Sequence, residues 1–355
     1  MKRIIIFMLC AAVVISSVSC TNTHTQPSHS ESISHSEEKG SDFSQDHSSS
    51  DAGASETAAA TELFRFNPKA VSAFTYEVYP EKLIDAWFNL VDAVYAGEDT
   101  FECEDEETYN WMIHQLPGDY FPVFTEIIEP VYGEPVKDGT ASFNYKVSKE
   151  KAAELISDFE ELVVDLLNKT MKPSYSDFEN AISLYNYFSV NYTYDYDTEN
   201  KMYEEYVDYT SCYRFMTSGN GICSEVSSAY TYLLMQAGID ATIVLGPNHQ
   251  WSYIRLNGKN YHIDPTYALS RNGSLEYFLM TDEKRAESGF ERKDCRITGN
   301  YAAEFGCPEY MADDDTFAPL WNGSYAGFDH DTHTLYYETE GEQEFYTAQF
   351  DYKDF

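Results

Sequence analysis

Apolar residues recur along this chain with three different spacings, and each spacing predicts a different element. An apolar run from Ile4 to Val14 follows Lys2 and Arg3 and gives way to small and polar residues ending at Cys20. A charged start, a short apolar stretch and a small-residue end are the parts of a signal peptide, here residues 1–20. From 21 to 60 Ser, His, Glu, Asp and Thr dominate and large apolar side chains almost vanish. Such a stretch cannot bury enough surface to offset the entropy of ordering, so it is read as a disordered tether. A flexible chain of that length reaches about 35 Å, enough to hold a domain clear of a membrane surface.

Helical spacing begins after Pro80, with Leu83, Ile84, Trp87, Leu90, Val91 and Val94 on one face and Gly97 as the stop. A partly alternating run from Ala141 to Val147 follows, then Ala152, Leu155, Ile156, Phe159, Leu162, Val163 and Leu166 mark a second long helix. Residues 61–170 thus read as a small α+β region, and no paired motif, repeat or glycine-rich loop gives it a chemistry. Ser176 and Glu179 form a capping box, each side chain able to satisfy a backbone donor at a helix start, before a face of Phe178, Ala181, Ile182, Tyr185 and Phe188. This opens a second folded region, residues 171–317. Residues 318–355, with Trp321, Tyr325, Phe328, Tyr336, Tyr337, Phe345 and Tyr346 among Gly and Asp, read as strands that complete or cover it.

Composition narrows the function. The 355 residues are 43% hydrophobic and 16% aromatic, enough for sizeable cores. Sixty acidic against 23 basic residues give a formal charge of -37, a field that repels nucleic-acid phosphates, so no nucleic-acid partner is expected. The seven cysteines contain no CxxC pair of the kind zinc ribbons need. The alternating carboxylates from Asp195 to Glu199 lack the glycine of an EF-hand loop and are read as an acidic solvated loop. His330 and His333, with Asp329 and Asp331, are read as a polar turn, and no cofactor or metal is expected.

The segment from Gly219 to Tyr267 carries the candidate chemistry. After Gly219 and Gly221 a helix starts near Cys223, with Val226, Ala229, Tyr230, Leu233, Leu234 and Ala237 on one face and Gly238 just past its end. At a helix start the unpaired N–H groups and the macrodipole favour thiolate, the form a nucleophile needs. Gly221 lets a substrate approach the backbone, and the N–H of Cys223 is a natural oxyanion donor. His249, Trp251, Tyr253 and Arg255 then alternate with Gln250, Ser252, Ile254 and Leu256, and Asn257-Gly258 signals a tight hairpin. Pairing Leu256 with Lys259 sets Trp251 opposite Asp264 and His249 opposite Thr266. His249 and Asp264 become diagonal neighbours on one face, about 7 to 8 Å apart at the backbone, a gap an imidazole and a carboxylate can close. Trp251 shares that face and can shield the pair, Pro265 ends the strand, and His262, opposite Tyr253, is read as structural.

A Gly-x-Gly-x-Cys loop opening a helix at Cys223, the His-x-Trp of His249 and Trp251, and the Asp-Pro-Thr of Asp264 together resemble the transglutaminase-like superfamily. The resemblance covers roughly residues 176 to 283 and includes Tyr277 to Met280 as a following strand. It implies an α+β, papain-like core in which the cysteine-bearing helix packs on an antiparallel sheet, with residues 61–170 as an N-terminal extension. It also implies that Cys223 attacks an amide carbonyl to form a thioester, His249 moves the proton and Asp264 fixes the imidazole tautomer. The acyl group would pass from a protein, peptide or glutamine amide to water or to an amine. Trp251 and Gly221 would border the substrate cleft, and Glu225 and Gln250, which depart from common family usage, would reshape it. A non-catalytic surface lipoprotein that binds peptide or glycan in the cleft is the alternative.

Ser17, Val18 and Ser19 before Cys20 resemble the lipobox of bacterial lipoproteins, which implies a diacylated Cys20 and anchorage on the extracytoplasmic face of the cell membrane. Ordinary secretion with cleavage nearby is the other reading. Outside the cell Cys103, Cys212, Cys295 and Cys307 would have three ways to pair.

Overall fold

The computed structural model describes residues 62–204, 211–306, 308–341 and 344–355. The signal peptide, the tether, Cys20 and Cys307 lie outside the described residues. Helix Glu81–Ala96 starts directly after Pro80, whose fixed φ suits a helix entry, and ends at Gly97 in the left-handed conformation. Its face of Leu83, Trp87, Leu90, Val91 and Val94 is buried. Strand Thr140–Tyr145 is the centre of a small antiparallel sheet, pairing with Thr100–Glu102, Ile128–Pro130 and Val136–Lys137. Helix Lys149–Thr170 follows, capped by the Ser148 hydroxyl, and helix Asp177–Asn191 opens on the reciprocal Ser176 and Glu179 bonds of the expected capping box.

A second sheet is antiparallel throughout, in the spatial order Arg296–Ile297, Ala241–Leu245, Gln250–Leu256, Lys259–Ile263. Helix Cys223–Gln236 packs on it, and every side chain from Glu225 to Gln236 is buried. An amphipathic stripe was expected; the helix instead lies between this sheet on one side and helices Leu116–Tyr120, Asp177–Asn191 and Cys212–Ser218 on the others. Its polar residues are accommodated by local bonds, such as Thr231 to Ser252 at 2.9 Å between side-chain oxygens. The main core runs without interruption from Trp87 and Phe124 through Phe159, Phe178 and Tyr230 to Leu335 and Tyr352.

Two local expectations change. Residues 195–199 are not a solvated loop: Asp195 is buried, its carboxylate accepting from the Thr198 N–H and hydroxyl at the start of helix Tyr196–Glu204 and from Arg214. Tyr277 to Met280 forms no strand but touches the sheet only through a His262–Met280 bridge and the Asp264 N–H to Tyr277 carbonyl bond. Leu279, at φ 52°, breaks the extended run there. The terminal strands Gly323–Asp329, Thr334–Glu340 and Phe345–Asp351 form their own antiparallel sheet and do not extend the sheet beneath the Cys223 helix. They are tied to helix Asp177–Asn191 at buried Glu179, which accepts from the Tyr352 hydroxyl and meets His330 Nδ1 at 2.9 Å.

Candidate active site

Cys223 is presented by a loop whose shape is locked from below. The Glu225 carboxylate, 2% exposed, accepts from the Ile222 and Ser211 N–H groups and from Arg214 Nε at 2.7 Å. Arg214 in turn reaches Asp195 at 3.0 Å. Glu225 therefore does not border the cleft; it clamps the turn that aims Cys223. Gly221 is buried as well, and a Cβ there would stand 2.7 Å from the Phe215 ring and 3.1 Å from Glu225. Close packing, and not approach of a substrate, requires glycine at that position. Cys223 itself is partly exposed at the first position of its helix, where N–H groups have no carbonyl one turn earlier to bond.

The hairpin turns at Asn257 and Gly258, with φ of 48° and 77°, the two positive values of a type I′ turn. Leu256 pairs with Lys259 and the register holds to Ser252 and Ile263, where the ladder stops. Trp251 and His249 thus have no direct partners in the opposite strand. Asp264 instead caps the short helix Pro265–Ala268, its Oδ1 accepting from the N–H of Thr266 at 3.1 Å. The parity of the register still puts His249 and Asp264 together: Nε2 and Oδ2 are 2.7 Å apart, with the two side chains 8% and 0% exposed.

The protonation states follow from competing effects. Burial alone would raise the Asp264 carboxyl, but the charge and hydrogen bond of His249, then Arg285 and the Tyr267 N–H, outweigh it and hold the group below its ordinary value. Asp264 is therefore a carboxylate, and Nε2–H of His249 donates to it. That bond leaves Nδ1 as the nitrogen available to Cys223, whose side chain is near enough to raise the imidazole. Burial pulls the His249 imidazole down, yet the Asp264 charge and bond and the Cys223 contact push it up to about 9. An imidazole raised in this way keeps its proton near neutral pH.

Aromatic rings wall the imidazole. Tyr267 stacks on it at 4.8 Å between centroids and 11° between planes, Phe290 lies at 5.4 Å and Trp251 at 5.7 Å. Trp251 is wholly buried, so it backs the imidazole and does not line a cleft; its Nε1–H donates to His262 Nδ1 at 2.9 Å. His262 Nε2 meets Asp282 at 2.9 Å, and burial lowers its pKa, as suits a neutral structural histidine. Gln250 binds the Ser224 carbonyl and the Ser228 hydroxyl, fixing the strand end to the Cys223 helix. Cys103, Cys212 and Cys295 are free thiols, and burial pushes the Cys103 and Cys295 thiols up to about 11. Among the described residues no group of three or more His, Cys, Asp and Glu is placed to hold a metal ion, and no helix is long and apolar enough to cross a membrane.

Comparison with known families adds one match: residues 164–278 fit the Transglutaminase-like superfamily. That stretch contains Cys223, His249 and Asp264. The chain has a transglutaminase-like core. Similar solved structures include a crystal structure of a TGase, at 16% identity with a TM-score of 0.27, covering 36% of this chain and 40% of that one. Another is a candidate cysteine protease from Cytophaga hutchinsonii, at 15% identity with a TM-score of 0.24, covering 33% of this chain and 39% of that one. The chain thus spans about two fifths of the solved structures it matches. No curated protein matches it.

Two residues at this site escape sequence reading. Tyr267 sits one turn after Asp264, so the Asp-Pro helix start could have placed it over the imidazole. Arg285 belongs to a polar run, Thr281 to Glu287, that reads as a solvated helix; it is 1% exposed and its Nη2 stands 3.0 Å from Asp264 Oδ2.

Proposed function

We propose that the protein is a cysteine-nucleophile acyl-transfer enzyme that acts on peptide or glutamine amides, anchored through lipid on Cys20 at the extracytoplasmic face of a bacterial membrane. The observation that carries the chemistry is the 2.7 Å bond from His249 Nε2 to Asp264, made by an imidazole whose proton affinity Cys223 also raises. The anchor rests on the sequence around Cys20 alone.

In the proposed cycle the Cys223 thiolate attacks the amide carbonyl carbon, and the oxygen takes the negative charge beside the first N–H groups of its helix. The imidazolium of His249 gives its Nδ1 proton to the amide nitrogen, the C–N bond breaks, and the amine leaves a thioester on Cys223. Water or a second amine then attacks the thioester while neutral His249 takes its proton. The C–S bond breaks, the acid or the new amide departs, and the thiolate–imidazolium pair is restored. Asp264 keeps Nε2–H occupied throughout, so Nδ1 alone exchanges the proton.

The test is a panel of peptides with and without glutamine, incubated with the full chain and with Cys223→Ala, reading amine or ammonia release and a thioester mass on the protein. Release and the thioester with the parent but not the variant are expected. Peptide that binds without release and without a thioester would instead support a non-catalytic binding protein and overturn this reading.

A further inference from the structure

Arg285 lies in the short helix Asp282–Ala286, beyond the stretch that matches the transglutaminase-like superfamily. Its guanidinium carbon stands 4.1 Å from the Trp251 ring centroid, 4.4 Å from Phe290 and 5.4 Å from Tyr267, three rings that also surround His249. Its Nη2 is 3.0 Å from Asp264 Oδ2, the oxygen that accepts the His249 proton. None of Nε, Nη1 or Nη2 is aligned for a hydrogen bond, and Asp264 is the one ion-pair partner of Arg285 among the described residues. A buried cation whose donors go unused is costly, so what keeps it in place is charge balance and ring contact.

The groups around it are already committed. Asp282 is taken by His262, by Arg292 at 3.3 Å and by the Ala312 N–H. His262 accepts from Trp251, and the Cys295 thiol and Tyr267 phenol are both raised by burial and stay neutral near pH 7. On the catalytic side, among the described residues, Cys223, His249 and Asp264 remain beside the Tyr185 phenol, which burial raises and keeps neutral. When thiolate and imidazolium cancel, Asp264 is left as an uncompensated negative charge in a dry setting.

We infer that Arg285 is a positioning residue that cancels the Asp264 charge and so limits how tightly Asp264 holds the proton of His249. The inference rests on the thiol chemistry proposed above. Without Arg285 the carboxylate would bind the imidazolium more strongly and make it a poorer acid toward the leaving amine. Arg285 touches neither Cys223 nor, by its burial, any substrate; it works through Asp264. The aromatic rings fix its distance from the carboxylate, which an ammonium on a flexible stem would not reproduce as well.

The experiment is the rate of alkylation of Cys223 by iodoacetamide as a function of pH, with the modified peptide mapped, in the full chain, R285M, R285Q and R285K. In the neutral variants the limb set by loss of the imidazolium proton is expected about one pH unit higher than in the parent. R285K is expected to stay within a few tenths of the parent. A neutral variant that melts cooperatively and whose profile overlies the parent's would overturn the inference. If neither neutral variant folds, R285K decides: a profile displaced from the parent's would show that the planar stack, and not the charge, sets the titration. A parent whose Cys223 shows no imidazolium limb at all would defeat the proposed function itself, a distinct outcome from an unmoved R285M.

Discussion

Asp264 Oδ2 serves two cations at once, accepting from His249 Nε2 at 2.7 Å and facing Arg285 Nη2 at 3.0 Å. One carboxylate oxygen therefore joins the proton-transfer machinery to a buried charge that the reaction does not touch. Asp264→Asn should slow turnover by about three to four orders of magnitude, because the imidazole loses its orienting acceptor. It should also cost roughly 3 kcal/mol of stability, because Arg285 is left as an unpaired buried cation. The double variant D264N/R285M should be more stable than D264N alone. Denaturant midpoints of the four proteins check this, and strict additivity would show that the two residues do not communicate.

Stability should fall on the alkaline side. The His249 imidazole is raised to about 9 from an ordinary 6.5, so its folded form holds the proton more tightly than the unfolded chain does. That contribution is present in full below about 6.5 and fades as pH rises through about 9, a loss on the order of 3 kcal/mol. Asp264, held low, acts in the opposite sense: its contribution is lost as pH falls below the ordinary carboxylate range. Chemical denaturation from pH 5 to 10 should show the alkaline decline in the parent and a much flatter curve in His249→Gln.

The clamp beneath the nucleophile gives a third expectation. Glu225→Gln removes the charge that Arg214 and two backbone N–H groups share. It should cost about 3 kcal/mol, as breaking a buried pair does, and it should slow reaction at Cys223 through misplacement of the helix start. Gly221→Ala should be destabilised by about 1 to 3 kcal/mol through the clash with Phe215. Thermal melts with parallel thiol-labelling rates measure both effects.

Local signals made much of this legible from sequence. Pro80, Gly97, the Ser176 capping box and Asn257-Gly258 each specify a conformation within a few residues, and each holds in the structure. The parity argument that united His249 and Asp264 needed only the turn and the alternation, although the ladder itself stops one pair short of Asp264. Readings that depended on distant partners went differently. Asp195 reads as solvated until Arg214 arrives from another helix, and Glu225 reads as a cleft residue until its carboxylate turns inward to the same arginine. Arg285 carries no local sign of burial, since Asp282, Glu283 and Lys284 beside it face outward in part and the rings that enclose it come from three other segments.

The proposed anchor has its own test. Cys20→Ala should release the protein from membranes or stop its processing, as judged by fractionation of cells and the mass of the amino-terminal peptide. Unchanged membrane association would remove lipid on Cys20 from the account.

The central claim is that His249 and Asp264 make Cys223 an activated nucleophile. The most direct measurement is competitive labelling of the full chain with a limiting electrophilic thiol probe, mapped by peptide mass across Cys103, Cys212, Cys223 and Cys295 from pH 5 to 9. Cys223 should take nearly all the label, should remain reactive well below the ordinary thiol range of about 8.5, and should lose that advantage in His249→Gln. Labelling of Cys223 no faster than a model thiol, or unchanged by removal of His249, would contradict it.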